Sequence, residues 1–249
     1  MANHFPLRLI GSRMLAPSVR HLDFARDDGQ PLDFIPGQFI QVHFNYPDGA
    51  ATKRSYSLAT IHDHALGPGE AVEIAVSYVP GGAATALFTA LDEGQQIQAS
   101  GPYGRFCLGA GDSNQRYLLI GTGTGVTPYR AMLPLLAQLM AARGVEIVLL
   151  FGARTPAELI YGEDFYAFAA AHPGFRFVPC FSRELPDDPH ADVHRGYVQE
   201  ALLEFSPNGE RDVAYLCGNP NMVDAAFEAL KTQGLPIPHI RREKYISGK

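Results

Sequence analysis

The pattern of the chain changes once, near Gly109-Ala-Gly-Asp-Ser113, and that change restricts it to a fold in two parts. Before it, short apolar runs rich in Val, Ile, Phe and Tyr are divided by turn signals. These are Asp27-Asp-Gly29, Pro36-Gly37, Pro47-Asp-Gly49, Gly67-Pro-Gly69 and Asp92-Glu-Gly94. Strands so spaced predict an antiparallel β-barrel. One helical segment, 83–91, interrupts them behind Gly81-Gly82. After the change, strands predicted at 117–120, 145–151, 175–181 and 213–217 alternate with helices at 127–142, 164–171 and 222–233. Such alternation predicts a parallel α/β sheet of the Rossmann type, with helices on both faces. Pro134 falls inside the first of these helices and is expected to kink it. The expected domains are therefore 1–110, an antiparallel β-barrel, and 111–249, an α/β nucleotide domain.

Composition removes several classes. The 249 residues are 46% hydrophobic, enough to fill real cores, and the formal net charge is −6. That balance gives no global case for nucleic acid or an anionic membrane as partner. Three scattered cysteines, Cys107, Cys180 and Cys217, supply neither a disulfide framework nor a four-cysteine cluster. No metal is expected. His62-Asp-His64 and the pair His190 and His194 lie in polar loops and read as solvated side chains. The start, Met-Ala-Asn-His-Phe-Pro, lacks the pattern of a signal peptide, and no apolar run approaches the ~18 residues of a membrane span. The expectation is a soluble, cytoplasmic monomer.

Two segments carry chemistry. Arg54-Ser-Tyr-Ser-Leu-Ala-Thr60 sets Arg54, Tyr56 and Leu58 on one face of a strand and Ser55 and Ser57 on the other. A fixed cation beside a flat ring suits a ligand that is both anionic and aromatic. Gly121-Thr-Gly-Thr-Gly-Val-Thr-Pro128 follows an apolar strand and opens a helix. Glycines there let a backbone approach a pyrophosphate, and the helix start offers free amides. Thr122 and Thr124 interleave Gly121, Gly123 and Gly125, so the spacing is not that of the G-x-G-x-x-G fingerprint. Other strands of this half end at Arg154, at Ser182-Arg183 and at Cys217-Gly-Asn219, forming one polar edge. An NAD site usually places an acid on the ribose 2′-hydroxyl. Arginines at these ends favour a 2′-phosphate, hence NADP over NAD. Gly81-Gly-Ala-Ala-Thr85 opens the lone helix of the barrel and reads either as a second anion site or as a plain capped helix start.

Together these motifs resemble the ferredoxin–NADP reductase superfamily, in the family's order and across nearly the whole chain. R-S-Y-S, G-G-A-A-T, G-T-G-T-G-V-T-P, C-G-N-P-N-M and R-E-K-Y carry the resemblance. It implies a flavin phosphate on Arg54, a flavin ring against Tyr56, and Ser57 near its N5. It implies a pyrophosphate at Gly82 and Thr85, Cys217 near the nicotinamide C4 with Glu243 close by, and Tyr245 stacked on the flavin. FAD is the implied cofactor, with FMN as the alternative, and NADP(H) the implied co-substrate, with NAD(H) as the alternative. The implied partner is a separate ferredoxin or flavodoxin. Ile246-Ser-Gly-Lys249 departs from the plant-type pattern, in which the aromatic closes the chain. R-S-Y-S and G-P-Y-G-R-F also resemble oxygenase reductase components and NAD(P)H–flavin reductases, which stand as the alternative. A flavin-binding sensor without turnover is disfavoured, because it would need neither Cys217 nor Glu243.

Overall fold

The structure, a computed structural model, describes residues 4–109, 111 and 113–245. The expected role of the tail after Tyr245 lies outside them. The chain divides into two compact units. One takes residues up to Leu108 together with Thr127–Met132, and the other takes Gly109–Val126 and residues from Leu133 on.

The first unit is an antiparallel six-stranded sheet. Its strands are β1 (His4–Ala16), β2 (Val19–Arg26), β3 (Phe39–Asn45), β4 (Ala51–Ser57), β5 (Ala71–Ser77) and β6 (Gln96–Tyr103), with helix α1 (Ala83–Ala90) between the last two. The order is β4-β3-β6-β1-β2-β5. Its two edges meet where Leu58 bridges Ile74 and the Ala59 amide donates to the Glu73 carbonyl at 2.8 Å, so the sheet closes on itself. Closure removes the exposed edge that an open sheet would offer to other chains. Alternate residues fill the interior, among them Leu7 and Leu9, Leu22 and Phe24, Ile40 and Val42, and Val72 and Ile74. Phe88 of α1 is wholly buried in the same core, an anchor worth roughly 1.5–3 kcal/mol.

The second unit is a parallel six-stranded sheet with helices between its strands. In chain order its elements are β7 (Arg116–Thr122), α2 (Thr127–Arg143, of which Thr127–Met132 belong to the first unit), β8 (Glu146–Ala153), α3 (Gly162–Ala171), β9 (Phe175–Phe181), β10 (His194–Arg195), α4 (Val198–Glu204), β11 (Asp212–Gly218), α5 (Pro220–Thr232) and β12 (Ile240–Lys244). The order β10-β9-β8-β7-β11-β12 reverses direction at β7. The carboxyl ends of β7 and β11 thus form the switch point at which such sheets bind ligands. β7 and β11 are buried along almost their whole length, which explains their unbroken apolar sequence. At their amino ends Arg116 grips Asp212 through two bonds of 2.9 and 2.7 Å, both side chains buried, and so fixes the register of the pair.

The helix α2 runs continuously through Pro134 and ends on Gly144, whose left-handed backbone lets its amide bond back to the Met140 carbonyl. Sequence periodicity missed three elements. β10 is two residues long, too short for any period, and α4 begins inside a charged loop. β12, Ile-Arg-Arg-Glu-Lys, is an edge strand with an almost wholly charged sequence, as edges often are.

Candidate active site

On β4 the expected alternation holds as far as Tyr56. Arg54 and Tyr56 are half-buried, Lys53 and Ser55 exposed, and Leu58 just beyond the strand is buried. Ser57 breaks the pattern, since it is buried on the face where Lys53 and Ser55 are exposed. The Tyr56 ring meets Phe88 edge-on, with centroids 5.3 Å apart, which ties β4 to α1. Burial pushes the Tyr56 phenol well above its ordinary value, against the smaller opposing pull of Arg54.

The Arg54 guanidinium donates to the Tyr46 hydroxyl at 2.9 Å, the Thr52 hydroxyl at 3.0 Å and the Lys53 carbonyl at 2.9 Å. All three acceptors are neutral, so the side chain is fixed while its charge stays uncancelled among the described residues. Beside it lies a cavity of about 550 Å³, lined by Tyr46, Gly81, Gly82, Thr85 and Thr89 among others. Gly82 caps α1 without a side-chain hydrogen bond, leaving the first amides of the helix to another acceptor. Thr85 lines this cavity, but its hydroxyl accepts from the Val79 amide at 2.8 Å and donates to the Val79 carbonyl at 3.0 Å. That pairing holds the loop ahead of α1 in shape. An uncapped helix start, an unneutralised guanidinium and an adjoining cavity fit the phosphates of a flavin nucleotide.

In the second unit Gly121 and Thr122 end β7, and Gly123–Val126 form a 3-10 turn leading into α2. This turn packs against the end of β11. A Cβ on Gly125 would overlap the Cys217 carbonyl, and one on Gly218 (φ 128°) would stand 2.6 Å from the Thr122 carbonyl oxygen. The Thr122 hydroxyl accepts from the Asn219 amide at 3.1 Å. Only glycine permits this approach at Gly125 and Gly218, so strand contact accounts for the last glycine of G-T-G-T-G, while Gly123 faces open space.

Register then brings two titratable side chains together. Cys217 stands opposite Gly121 on one side and Glu243 on the other. It is wholly buried. Burial first and Glu243 second push its thiol far above the ordinary value, while a hydrogen bond from Tyr245 acts in the opposite sense. Glu243 is half-buried, and loss of solvent raises its carboxyl to about 7. Its neighbours on β12 turn their charges elsewhere, Arg242 over the Phe227 ring at 3.8 Å and Lys244 onto Asp224 at 2.7 Å. The Tyr245 amide donates to the Gly218 carbonyl at 2.8 Å, extending the β11–β12 pairing by one residue.

The far side of the same sheet edge is cationic. The Ser182 amide donates to the Ala153 carbonyl at 3.1 Å and the Arg183 amide to the Arg154 carbonyl at 3.0 Å, so these strand ends run on together. Arg195, on β10 opposite Phe181, joins them. Glu158 returns to the same place. Its carboxylate accepts from the Arg154 amide at 3.1 Å and Nε at 2.9 Å, and from Nη2 as well. Sequence reading missed both Arg195 and Glu158. The first lies on a strand too short to recognise, and the second acts through a turn that begins at Thr155-Pro156.

One group among the described residues has metal-ligand spacing: His21, Asp23 and Glu73. His21 Nε2 lies 2.7 Å from Asp23 and 3.7 Å from Glu73. The Arg130 guanidinium, in the same unit, pairs with Glu73, so a cation already occupies the electrostatic role a metal would take.

Comparison with known proteins agrees with both halves. Residues 6–107 match the oxidoreductase FAD-binding domain and 119–228 the oxidoreductase NAD-binding domain. The chain is 33% identical to ferredoxin–NADP reductase B of Sorangium cellulosum over 98% of both chains. The chain belongs to the ferredoxin–NADP reductase superfamily. Within the superfamily it is also 35% identical to the reductase subunit of an aromatic O-demethylase from Amycolatopsis, over 90% of this chain and 66% of that one. It therefore spans about two thirds of that longer relative. Among solved structures it is similar to an Amycolatopsis cytochrome P450 reductase, with a TM-score of 0.83 and 31% identity over 98% of this chain and 70% of that one. A ferredoxin NADP+ reductase from Neisseria gonorrhoeae shares the fold, with a TM-score of 0.82 at 21% identity over 98% and 99% of the two chains.

Membership makes the chain an NAD(P)H oxidoreductase with sites for FAD and a pyridine nucleotide. Among the described residues no helix is long and apolar enough to cross a membrane. Within each unit the residues singled out from sequence fall into groups. Arg54, Tyr56, Gly82 and Thr85 gather in the first. In the second, Gly121 to Gly125 gather with Cys217, Glu243 and Tyr245, while Arg154, Ser182 and Arg183 gather farther along the same sheet edge.

Proposed function

We propose that this chain passes reducing equivalents between NADPH and a bound FAD, and single electrons to or from a separate ferredoxin or flavodoxin. The observation that carries this reading is the in-register placement of Cys217 and Glu243 at a switch point lined by Gly121 and Gly125. Such a surface offers backbone to a dinucleotide and a buried thiol and carboxyl to its reactive end. Arg54, Gly82 and the amides of α1 hold the flavin phosphates. The cavity beyond them has room for more than one phosphate, which favours FAD over FMN. Flavin, when bound, exchanges two electrons with a nicotinamide and one at a time with a carrier. Glu243, with its carboxyl near 7, takes up or releases a proton at neutral pH. Arg183, whose side chain forms no ion pair among the described residues, is the cation best placed for a 2′-phosphate, with Ser182 and Arg195 beside it.

A second reading, that the acceptor is an oxygenase component, is favoured by the Amycolatopsis relatives. The two readings separate when the FAD-loaded protein and NADPH are offered a ferredoxin, a flavodoxin and an oxygenase component in turn. Faster reduction of the free carriers supports the first, and exclusive reduction of the oxygenase component supports the second.

A further inference from the structure

Three arginines share the edge formed by the carboxyl ends of β8, β9 and β10, yet they are not equivalent. Arg154 is held by Glu158 through its amide, Nε and Nη2. Arg183 and Arg195 make no side-chain hydrogen bond or ion pair among the described residues. Glu158 is the more shielded partner, with its side chain 26% exposed against 57% for Arg154. It is therefore the anchor, and the guanidinium is folded down onto it.

We infer that Glu158 is a positioning residue for nucleotide choice, which sequesters Arg154 and so weakens capture of a ribose 2′-phosphate, leaving Arg183 and Arg195 to receive it. The inference rests on the reading of this edge as the nucleotide site. A doubly charged phosphate arriving here meets a carboxylate at the same edge and must compete for Arg154. A ribose carrying a free 2′-hydroxyl meets neither obstacle, and its hydroxyl can donate to the carboxylate. Specificity between two ligands is a difference of affinities, and a repulsive charge against one of them is an established way to create it. Arg154 and Arg183 both hold the Glu158 carboxyl below the usual carboxylate range, Arg154 more strongly, so the charge is present at neutral pH.

The test is calorimetric titration of the flavin-loaded protein with 2′,5′-ADP and with 5′-AMP, which needs no turnover. In Glu158→Gln, which keeps the shape and an acceptor oxygen, 2′,5′-ADP is expected to tighten about fivefold relative to 5′-AMP, the worth of one exposed ion pair. The ratio of kcat/KM for NADPH over NADH should rise by a similar factor. Because the freed Arg154 supplies part of the gain, the double variant Arg154→Ala/Glu158→Gln should bind 2′,5′-ADP less tightly than Glu158→Gln does. An unchanged or weaker relative affinity for 2′,5′-ADP in Glu158→Gln overturns the inference. So does equal binding of 2′,5′-ADP by the double variant and by Glu158→Gln. If the wild type binds neither probe and its flavin is reduced by neither nucleotide, the nucleotide-site reading itself has failed.

Discussion

Arg54 and Arg154 look alike in sequence, each closing or carrying a strand where an anion is expected, but the structure surrounds them differently. Arg54 is braced by two hydroxyls and a carbonyl, whereas Arg154 is braced by a carboxylate. Neutral acceptors fix a guanidinium and leave its field intact; a carboxylate fixes it and cancels the field. The same contrast divides the acids. Glu158 has a cation and is held low, while Glu243 has only burial and is raised to about 7. Residue type thus names the chemistry available, and the neighbours decide whether it is already spent.

If that comparison is right, Arg54→Ala has the largest effect. A charge-assisted contact to phosphate is worth roughly 1.5–3 kcal/mol, so flavin affinity should fall tenfold or more in an equilibrium binding assay. A variant that keeps its flavin through gel filtration as the wild type does would break the comparison at its stronger end. Next comes Arg183→Ala, which should lower kcat/KM for NADPH by about tenfold and leave NADH nearly unaffected. An unchanged ratio removes Arg183 from the nucleotide site.

Glu243 tests the acids. Its carboxyl is raised from the ordinary 4.5, so the folded protein binds this proton more tightly than the unfolded chain does. Stability from this group therefore falls as pH rises from about 4.5 to about 7 and is flat above. Glu243→Gln should remove that decline and gain about 3 kcal/mol at pH 8, read as a higher Tm, with no gain at pH 4.5. Parallel Tm-against-pH curves for wild type and variant would refute it. The smallest effect belongs to Arg154→Ala, whose charge is already committed. Affinity for 2′,5′-ADP should change by less than about threefold, and a loss matching that of Arg183→Ala would erase the distinction between the two arginines.

Much of this was legible beforehand, and the reasons are local. The barrel showed itself through turn residues at regular intervals, and the α/β half through apolar strands too buried to alternate. Arg54, Tyr56 and the glycine turn were visible because backbone geometry and motif order coincide in them. Glu158 was not, because its role depends on a turn at Pro156 that folds it back onto Arg154. Arg195 was hidden in a two-residue strand that exists only because β9 is there to pair with it. The Thr85 hydroxyl is engaged with Val79 on both sides, a pairing no spacing rule reveals. The Cys217–Glu243 juxtaposition came from motif resemblance and acquires a physical basis only from the parallel register of β11 with β12.

The most direct measurement is anaerobic stopped-flow mixing of the flavin-loaded protein with NADPH and, separately, with NADH. Rapid loss of the flavin's visible absorbance is expected with both nucleotides, faster with NADPH, and a slower response to NADPH in Arg183→Ala. A protein that cannot be reconstituted with FAD or FMN, or whose bound flavin keeps its absorbance in both nucleotides, would contradict it.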